Sequence, residues 1–148
     1  MVELLLADII LRIGIATILG ALIGLERQLH GISAGFRTHA LVCLGAALFT
    51  IVSIQFSIID PKVDLARVAS GVVTGIGVLG AGAIFFDKKG AHGFTTAANI
   101  WVVASLGMMA GIGEILVSII ASVFILAVLV IGKLIEIKLL KNKKRWTL

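Results

Sequence analysis

Residues 40–59 read ALVCLGAALFTIVSIQFSII, and residues 93–113 read GFTTAANIWVVASLGMMAGIG. Neither run contains Asp, Glu, Lys or Arg. Each is about the ~20 residues an α-helix needs to cross ~30 Å of hydrocarbon. A soluble chain of 148 residues would have to hide both runs inside a core it is too small to build. The two runs therefore set the fold class, an integral membrane protein. Composition agrees. The chain is 59% hydrophobic with glycine left out of the count, against the roughly 45–50% of soluble domains with glycine included.

Working outward, the pattern predicts an all-α bundle of five transmembrane helices: residues 4–25, 40–59, 68–86, 93–113 and 115–132. Of the first segment only residues 13–25 are uncharged, since Asp8 and Arg12 lie within it. Asp60-Pro61 reads as a turn between the second and third spans. Residues 1–132 form the expected membrane domain. Residues 133–148 form a basic amphipathic tail in which Leu134, Ile135, Leu139 and Leu140 touch lipid, the lysines reach phosphates, and Trp146 suits the interface.

Net charge is +5, and its distribution says more than its size. With the N-terminus outside, Arg27, Arg37, Lys88 and Lys89 lie on the cytoplasmic side. The tail adds Lys133, Lys138, Lys141, Lys143, Lys144 and Arg145 there. Only Lys62 and Arg67 remain outside. The positive-inside rule thus predicts an outer N-terminus and a cytoplasmic C-terminus in the plasma membrane. The basic tail is read as cytoplasmic retention and lipid contact, with no nucleic-acid partner. Cys43 is the only cysteine, so an intrachain disulfide is excluded, and its apolar setting predicts a buried structural thiol.

Small residues recur every four positions in three spans: Ala16, Gly20 and Gly24; Gly71 and Gly75; Gly107 and Gly111. Lipid gives helices no hydrophobic drive to associate, so close backbone approach at such faces holds bundles together. All three faces are expected to pack, within one chain or across a homodimer. Gly75-Ile76-Gly77-Val78-Leu79-Gly80 satisfies the dinucleotide-binding G-x-G-x-x-G pattern, yet it lies inside a span without the strand that motif requires. No cofactor is expected.

Several polar residues need an account. Asp8 and Arg12 share a helix face and can pair. Intramembrane charge is costly unless paired or hydrated, which marks both as candidates. Glu26, Arg27, His30, Arg37, Thr38 and His39 fill the first cytoplasmic connection, and Asp87, Lys88, Lys89 and His92 the second. No zinc-like ligand spacing is present, and Glu26 and Asp87 are the only carboxylates there for a Mg²⁺ ion, so no metal site is expected. The region suits an anion or a lipid headgroup instead. Thr95 or Thr96 is expected to cap the fourth helix. Asn99, deeper in the span, needs a partner, expected to be Glu26 or Arg37.

The stretch Gly20-Ala21-Leu22-Ile23-Gly24-Leu25-Glu26-Arg27, with Ala34-Gly35-Phe36-Arg37-Thr38-His39-Ala40-Leu41-Val42, resembles the signature of MgtC/SapB membrane proteins. Gly80-Ala81-Gly82-Ala83-Ile84-Phe85-Phe86, followed by Gly93-Phe94-Thr95-Thr96-Ala97-Ala98 and Trp101, is similar to that family's second block. Asp8 and Arg12 also stand where the family often has an Asp and an Arg. The resemblance covers about residues 8–113. It implies a multi-pass protein of the bacterial inner membrane that supports adaptation to low Mg²⁺ and, in some pathogens, survival inside phagocytes. It further implies a non-enzymatic regulator that docks on another membrane complex, such as the F-type ATP synthase; the alternative is an oligomeric transporter of Mg²⁺ or a proton-coupled solute. Many members carry a soluble C-terminal domain, whereas this chain ends in a basic tail. Phe86 and His92 stand where more basic residues are expected.

Overall fold

The computed structural model describes residues 5–88 and 90–143, with side chains through residue 139. The expectations placed on Lys89, Leu140, Lys141, Lys143, Lys144, Arg145 and Trp146 fall outside those residues or side chains. Among the described residues, five helices are long and apolar enough to cross a membrane: α1 (Leu6–Leu29), α2 (Phe36–Ile59), α3 (Leu65–Gly82), α4 (Phe94–Ile112) and α5 (Ile115–Lys143). Two short strands, β1 (Phe85–Asp87) and β2 (Gly90–His92), separate α3 from α4.

The boundaries depart from the expected spans for local reasons. α1 runs on through Glu26 and Arg27, because nothing breaks the helix before Gly31 at φ +73°. α2 begins four residues early, at Phe36, which brings His39 out of the connection and into the helix. α3 stops at Gly82, so Phe85 and Phe86 leave the span and pair antiparallel with His92 and Ala91. Glycines weaken the end of that helix, and the β-branched and aromatic residues after it favour extended backbone. Phe85 stacks on the His92 ring with centroids 5.4 Å apart. At the other end of α3, Asp64 caps the helix by accepting from the Ala66 N–H. α5 crosses the expected boundary at residue 132 without a break.

Neither Thr95 nor Thr96 caps α4. The N-cap is Gly93 at φ +92°, with no side-chain cap bond. That left-handed conformation suits glycine, and a Cβ there would collide with the Ala83 carbonyl. Gly93 thus lets the chain turn from the hairpin into the helix.

α2 lies between α1 and α4 and packs most extensively against both. Glycines set these two contacts. A Cβ on Gly20 would stand 2.6 Å from the His39 carbonyl oxygen and the Cys43 Cβ, and one on Gly24 would stand 2.7 Å from the Gly35 oxygen. On the opposite side, a Cβ on Gly107 would overlap the Cys43 carbonyl, and one on Gly111 would come within 2.8 Å of the Ala47 oxygen. Ala16, Ile23, Cys43, Ala47, Val103, Leu106 and Ala110 fill the core between these approaches.

Of the two expected ways to pack, the α3 face does not take the one within the chain. Gly71, Gly75 and Gly82 meet nothing within 4 Å, and only Gly80 approaches a neighbour, Ala97. α3 is the least buried of the five spans although it is among the least apolar; α4, similarly apolar, is half buried. Between α2 and α3 lies an apolar groove of about 600 Å³ lined by Gly45, Phe49, Gly71 and Gly75.

Leucine at Gly20 or Gly107 is expected to lower stability by about 1–3 kcal/mol or more through overpacking. Leucine at Gly71 should leave it within about 0.5 kcal/mol of the native protein. Thermal unfolding of the purified variants in one detergent checks both.

Candidate functional site

The charged side chains of the spans stand at the two ends of the bundle. At the end holding the N-terminus of α1, Arg12 Nη2 pairs with Asp8 Oδ2 at 2.7 Å. Arg12 Nη1 donates across to the Gly111 carbonyl of α4 at 2.8 Å. The last carbonyls of a helix lack partners and carry partial negative charge, so a guanidinium is favoured there. Gly113, left-handed at φ +99°, leaves the space: a Cβ would lie 2.9 Å from Arg12 Nη2. Arg12 Nε is buried without a partner among the described residues. This pair ties α1 to the end of α4.

At the opposite end, α1 brings Glu26, Arg27 and His30 together. Arg27 donates from Nε to Glu26 Oε2 and from Nη2 to Oε1, the latter at 2.8 Å. His30 Nδ1 lies 2.8 Å from both Glu26 Oε1 and the Glu26 backbone oxygen. The Arg27 side chain is only 8% exposed, an unusual place for a cation, and Glu26 compensates it.

One layer deeper, Asn99 Nδ2 donates to His39 Nε2 at 2.9 Å, and His39 Nδ1 donates to the Gly35 oxygen at 2.9 Å. This set of bonds matches the neutral Nδ1–H form of the imidazole. His39 is fully buried and Asn99 nearly so. The partner of Asn99 is therefore His39, and neither Glu26 nor Arg37. Arg37 and Thr38 are exposed on the first turn of α2, and no hydrogen bond or ion pair joins Arg37 to Glu26 or Asn99. Trp101 is half exposed on the outside of α4. On the hairpin, His92 Nε2 lies 3.0 Å from Asp87 Oδ1.

A cavity of about 450 Å³ opens beside Arg27, lined also by His30, Thr95, Lys133 and Glu136. Below it a second, almost wholly apolar cavity of about 280 Å³ runs between α4 and α5 past Asn99 and Phe124. Thr95, Val128 and Leu129 line both. No group of three or more His, Cys, Asp or Glu among the described residues could hold a metal ion.

The MgtC family model matches residues 13–137, nearly the whole bundle. The chain belongs to the MgtC family. It is 44% identical over 128 residues to YhiD of Escherichia coli K12, provisionally named a magnesium transporter; the match covers 83% of this chain and 60% of YhiD. MgtC of Brucella abortus is 44% identical over 113 residues, 76% of this chain and 46% of that protein. MgtC of Salmonella typhimurium LT2 is 40% identical over 124 residues, 84% of this chain and 52% of that protein. The chain thus spans about half to three-fifths of the relatives it matches. No solved structure matches it. An MgtC-family protein with five candidate spans is a multi-pass membrane protein.

Sequence reasoning missed His39 as the central polar residue, and Lys133 and Glu136 as cavity walls. A signal for His39 was present: it shares an i, i+4 stripe with Cys43 and Ala47, the face that meets the glycines. Lys133 and Glu136 carried none, because they enter the site only through the packing of α5.

Asn99→Ala should cost about 1–2 kcal/mol by leaving His39 Nε2 without its donor. It should cost less in a His39→Leu background, a coupling that denaturation of the two singles and the double in micelles would measure. Arg12→Met should destabilise more with Asp8 present than with Asp8→Asn, since only the first leaves a carboxylate without its cation. The same denaturation assay reads that difference.

Proposed function

We propose that this MgtC-family chain is a non-enzymatic regulator of the bacterial inner membrane that works by docking on another membrane protein complex, oriented with its N-terminus outside. The supporting observation is α3. It is among the least apolar spans and the least buried, and its Gly71 and Gly75 face an open groove. Every other paired glycine face in the bundle meets a helix backbone. A membrane helix with small residues and little burial is built to receive another helix. Orientation rests on the positive-inside rule, which places Arg27, Lys88 and Lys133 in the cytoplasm. The family resemblance supplies the setting, adaptation to low Mg²⁺, and the F-type ATP synthase as the partner complex.

The transport reading has the provisional name of YhiD behind it. On that reading Asp8, Arg12, Glu26 and Asn99 would line a path, yet Asp8 and Arg12 stand at one end of the bundle and Glu26 and Asn99 toward the other. Arg12 bonds Gly111, about 18 Å along α4 from Asn99 at ~1.5 Å per residue. Docking is therefore the reading adopted.

The test is affinity purification of the tagged chain from native bacterial membranes grown at low Mg²⁺. The native protein and Gly14→Leu, a substitution into open space on α1, are compared with Gly71→Leu and Gly75→Leu. The expected result is one reproducible membrane partner, lost at least tenfold with leucine at Gly71 or Gly75, at unchanged thermal stability. Recovery undiminished in both leucine variants would remove the α3 face from the proposal.

A further inference from the structure

Nothing in the docking reading uses the paired cavities beside Arg27, which lie where α5 meets α1 and α4. Their chemistry changes with depth. The upper one is walled by two cations, Arg27 and Lys133, one carboxylate, Glu136, and the imidazole of His30. The lower one has an almost wholly apolar wall, with Thr95 and Asn99 as its polar members, and continues from the upper through Thr95, Val128 and Leu129.

The depth of the change matches a bilayer. α5 rises at ~1.5 Å per residue, so residues 115–132 span about 27 Å, close to the ~30 Å of hydrocarbon. Lys133 and Glu136 then stand at headgroup level, and the apolar groove below them faces acyl chains. Only Thr95 and Asn99 bring polar atoms to that groove, and the Asn99 amide is engaged by His39, so its nearly all-apolar wall suits a lipid tail better than water.

The upper cavity has capacity left for a ligand. Glu26 occupies Nε and one hydrogen of Nη2 of Arg27, leaving three of its five N–H groups for another acceptor. No salt bridge joins Lys133 to Glu136 among the described residues, although both line the cavity. A free anion would gain from Arg27 and Lys133 and be repelled by Glu136. A headgroup that carries a phosphate and an ammonium uses all three.

We propose that the α1–α4–α5 cleft binds one phospholipid with an ethanolamine-type headgroup, its phosphodiester on Arg27 and Lys133, its ammonium on Glu136, and one acyl chain in the α4–α5 groove. Charge-assisted hydrogen bonds hold the phosphate. The groove supplies contact area and excludes anions that lack a tail. Glu136 selects the headgroup, by attracting the ammonium and repelling headgroups that carry only negative charge.

The test is native mass spectrometry of the delipidated full chain in detergent, titrated separately with dioleoyl phosphatidylethanolamine, dioleoyl phosphatidylglycerol and inorganic phosphate. One ethanolamine lipid should bind about tenfold more tightly than the glycerol lipid, with no saturable binding of phosphate alone. Glu136→Gln should abolish the headgroup preference. Lys133→Gln should weaken both lipids about tenfold, and Val128→Trp should block both by filling the groove. Lys133, Glu136 and Val128 lie on the outer part of α5, so their substitution leaves the α1–α2–α4 core intact; circular dichroism and thermal unfolding of each variant verify this. A glycerol lipid bound as tightly as the ethanolamine lipid, saturable phosphate binding, or lipid binding unchanged in Lys133→Gln and Val128→Trp would each overturn the proposal.

Discussion

The distance between helix backbones governs this molecule. In lipid, apolar side chains gain little by leaving their surroundings for one another, so α1, α2 and α4 are held by how closely their main chains approach. Gly20 and Gly24 on one side, and Gly107 and Gly111 on the other, bring both neighbours onto α2 where any Cβ would strike a carbonyl or a side chain. The polar interior follows from that approach. Asn99 reaches His39 across the α2–α4 contact only because the helices stand this close, and His39 is in turn satisfied by its own helix through Gly35. Arg12 reaches the end of α4 under the same constraint, past a residue that has no side chain, Gly113.

Much of the architecture was legible in the chain, because spans announce themselves by length and absence of charge. The five helices and the small-residue faces of α1 and α4 could be read directly. Helix ends were harder. Composition cannot show that α1 continues past Glu26, or that Ile84-Phe85-Phe86 leaves the span, because charged residues at an interface and apolar residues in a hairpin look alike in a hydropathy count. The α3 glycines were read as packed; the pattern shows that a face can be approached, never whether its neighbour belongs to the same chain.

The site was legible only in pieces. Asn99 was read as a residue in need of a partner, with Glu26 or Arg37 expected, whereas Glu26 and Arg27 were read only as charges of the first cytoplasmic connection. Glu26 takes its nearest neighbour in sequence, Arg27, together with His30, one turn on. Asn99 takes a residue sixty positions away. Long-range pairs of that kind depend on helix rotation, which the glycine contacts set and no local pattern encodes. Arg37 and Thr38, prominent in the motif, turn outward and join neither network.

Cys43 sits in the narrowest part of this arrangement. Its side chain meets the Gly20 face of α1, and its carbonyl meets the Gly107 face of α4. A thiol there has no path to a reagent while the three helices are together. The chain's single sulfhydryl is therefore a natural reporter on its own assembly, silent in the closed bundle and open to alkylation as soon as either glycine seam parts.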